Sequence, residues 1–133
     1  MSDKKLNESD FKIQSLKEAE DLFKTVSLTE SQFKVFLEFT DIIHEHIPIG
    51  KDALKGIGHI AIQSWQVDNK RSLTGIAKAQ HLEVMKTLSE ICDYWKIELI
   101  KVLIKSEDEA IAQKVTKAVD EALKHYDEKY AGI

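Results

Sequence analysis

The stretch from Phe33 to Ile47 constrains the fold most, because as a helix it would be apolar on almost every side. At about 100° per residue, one face carries Phe33, Phe36, Leu37, Thr40, Ile43, His44 and Ile47, and a second carries Val35, Phe39, Ile42 and His46. Only Lys34, Glu38, Asp41 and Glu45 form a polar stripe, and it is narrow. Such a helix must be buried on most sides. It therefore lies inside an all-helical fold, or it faces a partner as well as the core.

Helical periodicity continues along the rest of the chain, which has one proline and five glycines. The five predicted helices cover about residues 10–26, 29–47, 52–67, 72–105 and 106–130. Ser9 and Ser72 are the expected caps of the first and fourth helices. The sequences TESQ at 29–32 and SEDE at 106–109 are capping boxes that start the second and fifth. The prediction is an all-α chain with residues 1–133 in a single domain.

The fourth predicted helix is unusually long, at about 50 Å for some thirty residues. Its apolar stripe comprises Leu73, Ala77, His81, Val84, Leu88, Ile91, Trp95, Leu99 and Val102. Shorter neighbours would not cover that length, so we expect a homodimer through the two C-terminal helices, forming an intermolecular four-helix bundle. A helical hairpin buried wholly within one monomer is the alternative.

Composition argues against several classes of function. The net charge of −4 is spread along the chain, and Arg71 is the one arginine among nineteen basic residues, so we expect no nucleic-acid partner. We expect no signal peptide and no membrane insertion, because the first residues are polar and no apolar run approaches about 18 residues. The single Cys92 excludes an internal disulfide and fits a cytoplasmic protein. It flanks the apolar stripe and is expected to be an inert buried thiol, not a nucleophile.

The histidines and glycines have plain structural interpretations. His44 and His81 fall on apolar stripes, where hydrogen-bonded core histidines are commoner than ligands. A zinc site needs converging ligands, and neither a second cysteine nor a close His-x-x-x-His pair is present. We therefore expect no metal site and no enzymatic activity. Gly56 and Gly58 would let another helix, expected to be the second, cross close to the third.

The segment Ile57-Gly58-His59-Ile60-Ala61 resembles the Ile-Gly-x-x-His segment of haem-binding globin sensors, in which the histidine is the proximal iron ligand. Here Ala61 stands at the ligand position, and His59 lies about 200° round the helix from it. The chain thus resembles the haem-less globin-fold sensor domains, including the free-standing sporulation-inhibitory proteins of bacilli related to sporulation sensor histidine kinases. The resemblance is strongest over 57–130. The resemblance is weaker before Gly58, because too few residues separate Thr29 from Gly58 for a full set of early globin helices. A four-helix bundle with an added helix fits the periodicity equally well.

This resemblance implies that no haem is bound and that a fatty acid occupies an apolar tunnel between the second helix and the third and fourth. It also implies inhibition of sporulation signalling, by competing or pairing with a sensor histidine kinase. His44, Gln63, Trp65, Arg71 and His81 would supply donors for the carboxylate or for another small anion. The full set of expected ligand-binding residues is Phe33, Phe36, Leu37, His44, Gly58, Ala61, Gln63, Trp65, Arg71, His81, Val84, Met85 and Leu88.

Two further classes of function are compatible with the sequence. In a small dimeric helical-bundle adaptor without a pocket, side chains instead of a ligand would fill the tunnel. A small enzyme is the least favoured class, since no catalytic motif is evident in the sequence.

Overall fold

A computed structural model describes residues 6–25, 30–73, 75–103 and 109–132. The helices are α1 Ile13–Lys24, α2 Glu30–His46, α3 Lys51–Asn69, α4 His81–Glu98 and α5 Glu109–Tyr130. Short 3₁₀ turns occupy Glu8–Asp10 and Ile76–Lys78, and a π-helical turn, Leu99–Leu103, continues α4. The predicted all-α class and the five helices are confirmed. No helix in the described ranges is both long and apolar enough to cross a membrane.

α3 lies at the centre of the packing. It contacts α1, α2 and α4, while α5 packs against α2 and α4. The buried side chains of α2 are Val35, Phe36, Phe39, Thr40, Ile42 and Ile43. Its predicted polar stripe faces outward, with Lys34, Asp41 and Glu45 exposed and Glu38 half-buried. The expectation that this helix is buried on most sides is confirmed.

The predicted start of α1 is wrong by a few residues. Ser9 lies inside the 3₁₀ turn, and the helix begins only after Lys12. The Asp10 carboxylate accepts a hydrogen bond of 2.9 Å from the backbone N–H of Asn7, which closes the turn locally. Phe11 then adopts an extended conformation and is 1 % exposed. Burial of this ring separates the turn from the helix. Residues 26–29 and 104–108, which contain Thr29 and most of SEDE, lie outside the described part.

The predicted start of α4 at Ser72 is also wrong, because the helix begins at His81. α3 ends at Asn69, followed by Lys70 in the left-handed conformation (φ 52°). Gly75 has φ 94°, which a helix cannot include. Leu73 is nevertheless buried. A loop that folds back can bury an apolar residue as well as a helix can, so helical spacing did not reveal this break.

The shorter α4 removes the helix-length argument for a dimer. Its stripe of Val84, Leu88, Ile91, Trp95 and Leu99 is at most 6 % exposed within one chain. α3 and α5 of the same chain pack against the helix. The side chain of Val102 lies outside the described part. The stripe therefore matches the alternative of burial within the monomer.

The two glycines of α3 accommodate different neighbours. A Cβ on Gly56 would collide with the backbone of Ala19, 2.8 Å from its carbonyl carbon. Gly56 thus allows α1 to pack closely against α3, and the expectation that it does so for α2 is wrong. A Cβ on Gly58 would collide with the ring of Phe36 and lie 2.7 Å from Trp95 Cζ2. Only Gly58 brings α2 close, together with α4.

Candidate ligand-binding site

A small apolar cavity lies where α2, α3 and α4 meet, which is where the tunnel was predicted. Its walls are Val35, Phe36, Ile62, Leu73, Ile76, Thr87, Leu88, Ile91 and Trp95. Its volume is about 10 Å³, close to the space that one water molecule needs. In this structure the cavity is therefore far too small for an acyl chain.

The wall formed by Leu73 and Ile76 comes from the segment between α3 and α4. In the described part of this segment, the regular structure is the short 3₁₀ turn Ile76–Lys78. Gly75 lies between the two wall residues, and a Cβ built on it would meet nothing within 4 Å. The other walls are contributed by helices that pack on one another. Leu73 and Ile76 are thus the wall residues that lie outside the α-helices, although Ile76 donates a backbone hydrogen bond of 3.0 Å to Leu73 and its turn contacts α2 and α4.

Aromatic rings fill the space opposite Gly58. Phe36 stacks on Trp95 with ring centroids 5.6 Å apart, and Phe39 meets Trp95 edge-on at the same distance. Ala61, at the position where the resemblance places a haem ligand, is completely buried. The expected room beside Gly58 is occupied by side chains.

The indole of Trp95 carries the one unusual polar group at the cavity. Trp95 is 0 % exposed, and its Nε1 has no hydrogen-bond partner among the described residues. A buried donor without an acceptor costs about 1–3 kcal/mol, and most buried polar groups in proteins avoid this state. Thr87, also in the cavity wall, is 3 % exposed. One residue of the cavity wall, Trp95, thus carries a buried N–H that lacks an acceptor among the described residues.

Two of the expected carboxylate donors lie at the surface. His44 and Gln63 are exposed, so the placement of His44 on a buried stripe is wrong. The buried side of α2 includes Phe36 and Ile43. His44 instead lies towards the polar stripe, next to Glu45. Neither side chain contributes to the cavity wall.

The other three expected donors are engaged elsewhere. Trp65 donates a hydrogen bond of 3.0 Å from Nε1 to Glu90. Arg71 lies over the Trp65 ring, 5.6 Å from its centroid, and 3.7 Å from a carboxylate oxygen of Glu83. His81 Nε2 is 2.7 Å from a carboxylate oxygen of Asp127. The structure therefore does not bring the predicted donors together at one mouth.

The expected apolar residues are placed more accurately. Phe36 and Leu88 line the cavity. Val84 is buried, and Leu37 and Met85 are half-buried against the core, although none of the three is part of the wall. The side chain of Phe33 lies outside the described part. The wall residues absent from the prediction are Val35, Ile62, Leu73, Ile76, Thr87, Ile91 and Trp95. Leu73, Ile91 and Trp95 were recognisable as stripe residues, but Ile76 reaches the wall only because the segment before α4 folds back.

Cys92 is 1 % exposed, and burial raises the pKa of its thiol well above the ordinary range. Lys96 opposes this shift by charge attraction, but with a smaller effect. A thiol that stays protonated is a poor nucleophile. The prediction of a buried cysteine is confirmed, and its inertness stays a prediction.

Comparisons with known protein families, with curated proteins and with solved structures found no match to this chain. The resemblance to haem-less globin sensors therefore stays a prediction based on the short segment from Ile57 to Ala61.

Proposed function

We propose that this chain is a sensor domain without haem that binds a fatty acyl chain between α2, α3 and α4 and signals through contact with another protein. The observation that supports this proposal is the apolar cavity between these helices, whose wall includes Trp95, a residue with a buried N–H that has no hydrogen-bond partner in the described ranges. An apolar wall favours hydrocarbon, and the unpaired donor favours a ligand that brings an oxygen, either its own or that of an accompanying water.

Binding requires the cavity to enlarge. We place this opening at the side chains of Leu73 and Ile76, because they are the wall residues that lie outside the α-helices. Their displacement would open a path from the surface, where Arg71 would have to exchange Glu83 for the ligand carboxylate. Each methylene buried would contribute about 0.8 kcal/mol, and this gain must exceed the cost of displacing Leu73 and Ile76. A ligand of many methylenes therefore fits the proposal better than a small one.

The experiment is a palmitate titration of protein freed of lipid by partial unfolding and refolding. Leu88→Trp places a larger side chain in the cavity wall and should weaken binding at least about tenfold. Val67→Trp is the control, because Val67 is 75 % exposed on α3 and lies outside the cavity wall. It should bind as the wild type does. Circular dichroism establishes that each variant is folded.

Trp95→Phe gives a second variant, which removes the indole N–H and also enlarges the cavity, because the buried indole is larger than a phenyl ring. It should not block palmitate binding as Leu88→Trp does. Equal binding by wild type and Leu88→Trp, or no saturable binding by the wild type, would rule out the acyl site. Native mass spectrometry of the untagged protein should show a co-purified lipid.

Signalling through protein contact would use the outer face of α4. Leu82 and Ile97 are large apolar side chains on this helix, with 83 % and 54 % of their surface exposed. We include the homodimer in this proposal, formed through this face and not through the buried stripe. The resemblance implies a sensor histidine kinase as the signalling partner and inhibition of sporulation signalling as the outcome.

Sedimentation velocity at micromolar concentration tests the homodimer. The wild type and Val67→Glu, which alters an exposed residue of α3, should sediment as dimers. Leu82→Glu and Ile97→Glu should sediment as monomers with unchanged helicity, because a carboxylate would be desolvated at the interface. A monomeric wild type would refute the dimer without affecting the acyl site.

One alternative function has a specific observation in its favour. The close packing of Phe36 and Trp95 against Gly58 favours a helical adaptor with a solid core and no ligand. Absence of lipid, together with retained binding of a protein partner, would support the adaptor and exclude the sensor.

A further inference from the structure

Three side chains with metal-binding chemistry meet where the last turn of α2 contacts α5. Glu45 and His46 come from α2, and His125 comes from α5. One ligand atom from each lies within 4.8 Å of the other two. His125 Nδ1 is 3.4 Å from a carboxylate oxygen of Glu45, and the two imidazole rings have centroids 5.9 Å apart. Two imidazoles and one carboxylate are thus close enough to converge on a single ion.

The orientation of His46 suits a ligand. Its Nδ1 lies 3.0 Å from the backbone carbonyl oxygen of Ile42. When Nδ1–H donates to that oxygen, the lone pair of the neutral ring is on Nε2. Metal-binding histidines commonly use one ring nitrogen as the ligand and donate from the other to a backbone carbonyl or carboxylate. The hydrogen bond to Ile42 therefore favours the tautomer that leaves Nε2 free to be a ligand.

The electrostatic setting favours a cation. The C-terminal end of a helix carries partial negative charge from its free carbonyl groups, and Glu45 and His46 lie in the last turn of α2. Glu45 adds a carboxylate. The side chains of Glu45 and His125 are 59 % and 45 % exposed, so water has access from outside. A bound ion would not need to be fully desolvated.

We infer that Glu45, His46 and His125 form a Zn²⁺ site, with water completing the coordination. Two histidines, one glutamate and a water are a common tetrahedral set for zinc. Zn–N and Zn–O bonds of about 2.0–2.2 Å place ligand atoms slightly more than 3 Å apart, so the side chains need to close by only an ångström or two. The ion would join the end of α2 to α5 and stabilise their contact.

This inference reverses the expectation of no metal site, which considered ligands close together in sequence. His125 is far from His46 along the chain and is brought beside it by the packing of α5 on α2. Glu45 and His46, which are adjacent in the sequence, supply one half of the site. The other half depended on the helix pairing.

The test titrates Zn²⁺ into metal-free protein by calorimetry and Co²⁺ by visible absorption. We expect one ion per chain and a tetrahedral Co²⁺ spectrum. His125→Ala and Glu45→Gln should each weaken Zn²⁺ binding by about tenfold or more. His44→Ala is the matched control, because His44 is an exposed histidine in the same turn of α2 but outside the three-residue cluster. It should bind Zn²⁺ within about twofold of the wild type.

A thermal unfolding experiment provides an independent readout. Because an ion that binds only the folded chain raises its stability, excess Zn²⁺ should raise the melting temperature of the wild type and of His44→Ala, and should raise that of His125→Ala by less. Equal affinity of the wild type and His125→Ala, or an equal loss in His44→Ala, would overturn the site. So would binding of several ions with no defined stoichiometry.

Discussion

Phe36 of α2 stacks on Trp95 of α4 with ring centroids 5.6 Å apart and 25° between the ring planes, and both rings contact Gly58 of α3. This contact joins three helices through one point. It fills the space opposite Gly58 that the sequence left open to a ligand. The absence of a Cβ at Gly58 is required by its two aromatic neighbours, so this glycine has a packing role whether or not a ligand binds nearby.

The first prediction concerns the two glycines of α3. Gly58→Ala should destabilise the fold by about 1–3 kcal/mol through overpacking, even though alanine gains about 1 kcal/mol of helix propensity. Gly56→Ala should cost more, because its methyl group would meet the backbone of Ala19, which cannot rotate away as a ring can. Urea unfolding measures both as shifts of the midpoint.

Gly132→Ala is the control for both variants. A Cβ at Gly132 meets nothing within 4 Å, so its free energy of unfolding should stay within about 0.5 kcal/mol of the wild type. If Gly58→Ala proved as stable as Gly132→Ala, the packing of Phe36 and Trp95 against Gly58 would be wrong.

The sequence predicted the structure well where the positions at helical spacing are also the buried positions. α2 was predictable because its narrow polar stripe, with Lys34 and Asp41, leaves most of the helix apolar. The start of α4 was not, because Leu73 fits the apolar spacing of a helix and is equally well buried by the loop around Gly75. The expected hydrogen-bond donors for a ligand carboxylate were predicted poorly for a related reason. His44 lies at the border between the buried and the exposed side of α2. Its position around the helix axis does not by itself determine whether another helix covers it.

The second prediction concerns Cys92. Because the thiol is buried and its pKa is raised by that burial, it should react very slowly with a disulfide reagent such as dithionitrobenzoate at neutral pH. In guanidinium chloride one thiol per chain should react rapidly. Fast stoichiometric labelling of the folded protein, with no change in circular dichroism, would contradict the buried position.

The third prediction is that the chain binds no haem. Ala61 offers no ligand atom, His44 is exposed, and His81 is held by Asp127. Haem titration should therefore give no Soret band of defined stoichiometry. A saturable Soret band at one haem per chain that disappears in His81→Ala would contradict this prediction. It would show that His81 leaves Asp127 to bind iron.

The last prediction concerns acid sensitivity and His59. Burial lowers the pKa of His59 below the value of 6.5 for an unperturbed imidazole, and its Nδ1 is buried without a hydrogen-bond partner in the described ranges. As the pH falls through 6.5, the unfolded chain takes up a proton at this residue before the folded chain does. The free energy of unfolding is thus greatest above this pH, where His59 is neutral, and it decreases below this pH.

His59→Gln removes the titrating group while leaving a polar side chain, so its free energy of unfolding should decline less than that of the wild type between about pH 7.5 and pH 5.5. His44→Gln, altered at an exposed histidine, is the control for the loss of a histidine elsewhere. The comparison uses urea unfolding at both pH values, in metal-free buffer so that Zn²⁺ does not contribute. If His59→Gln lost as much stability as the wild type on acidification, His59 would have to be as readily protonated in the folded chain as in the unfolded one.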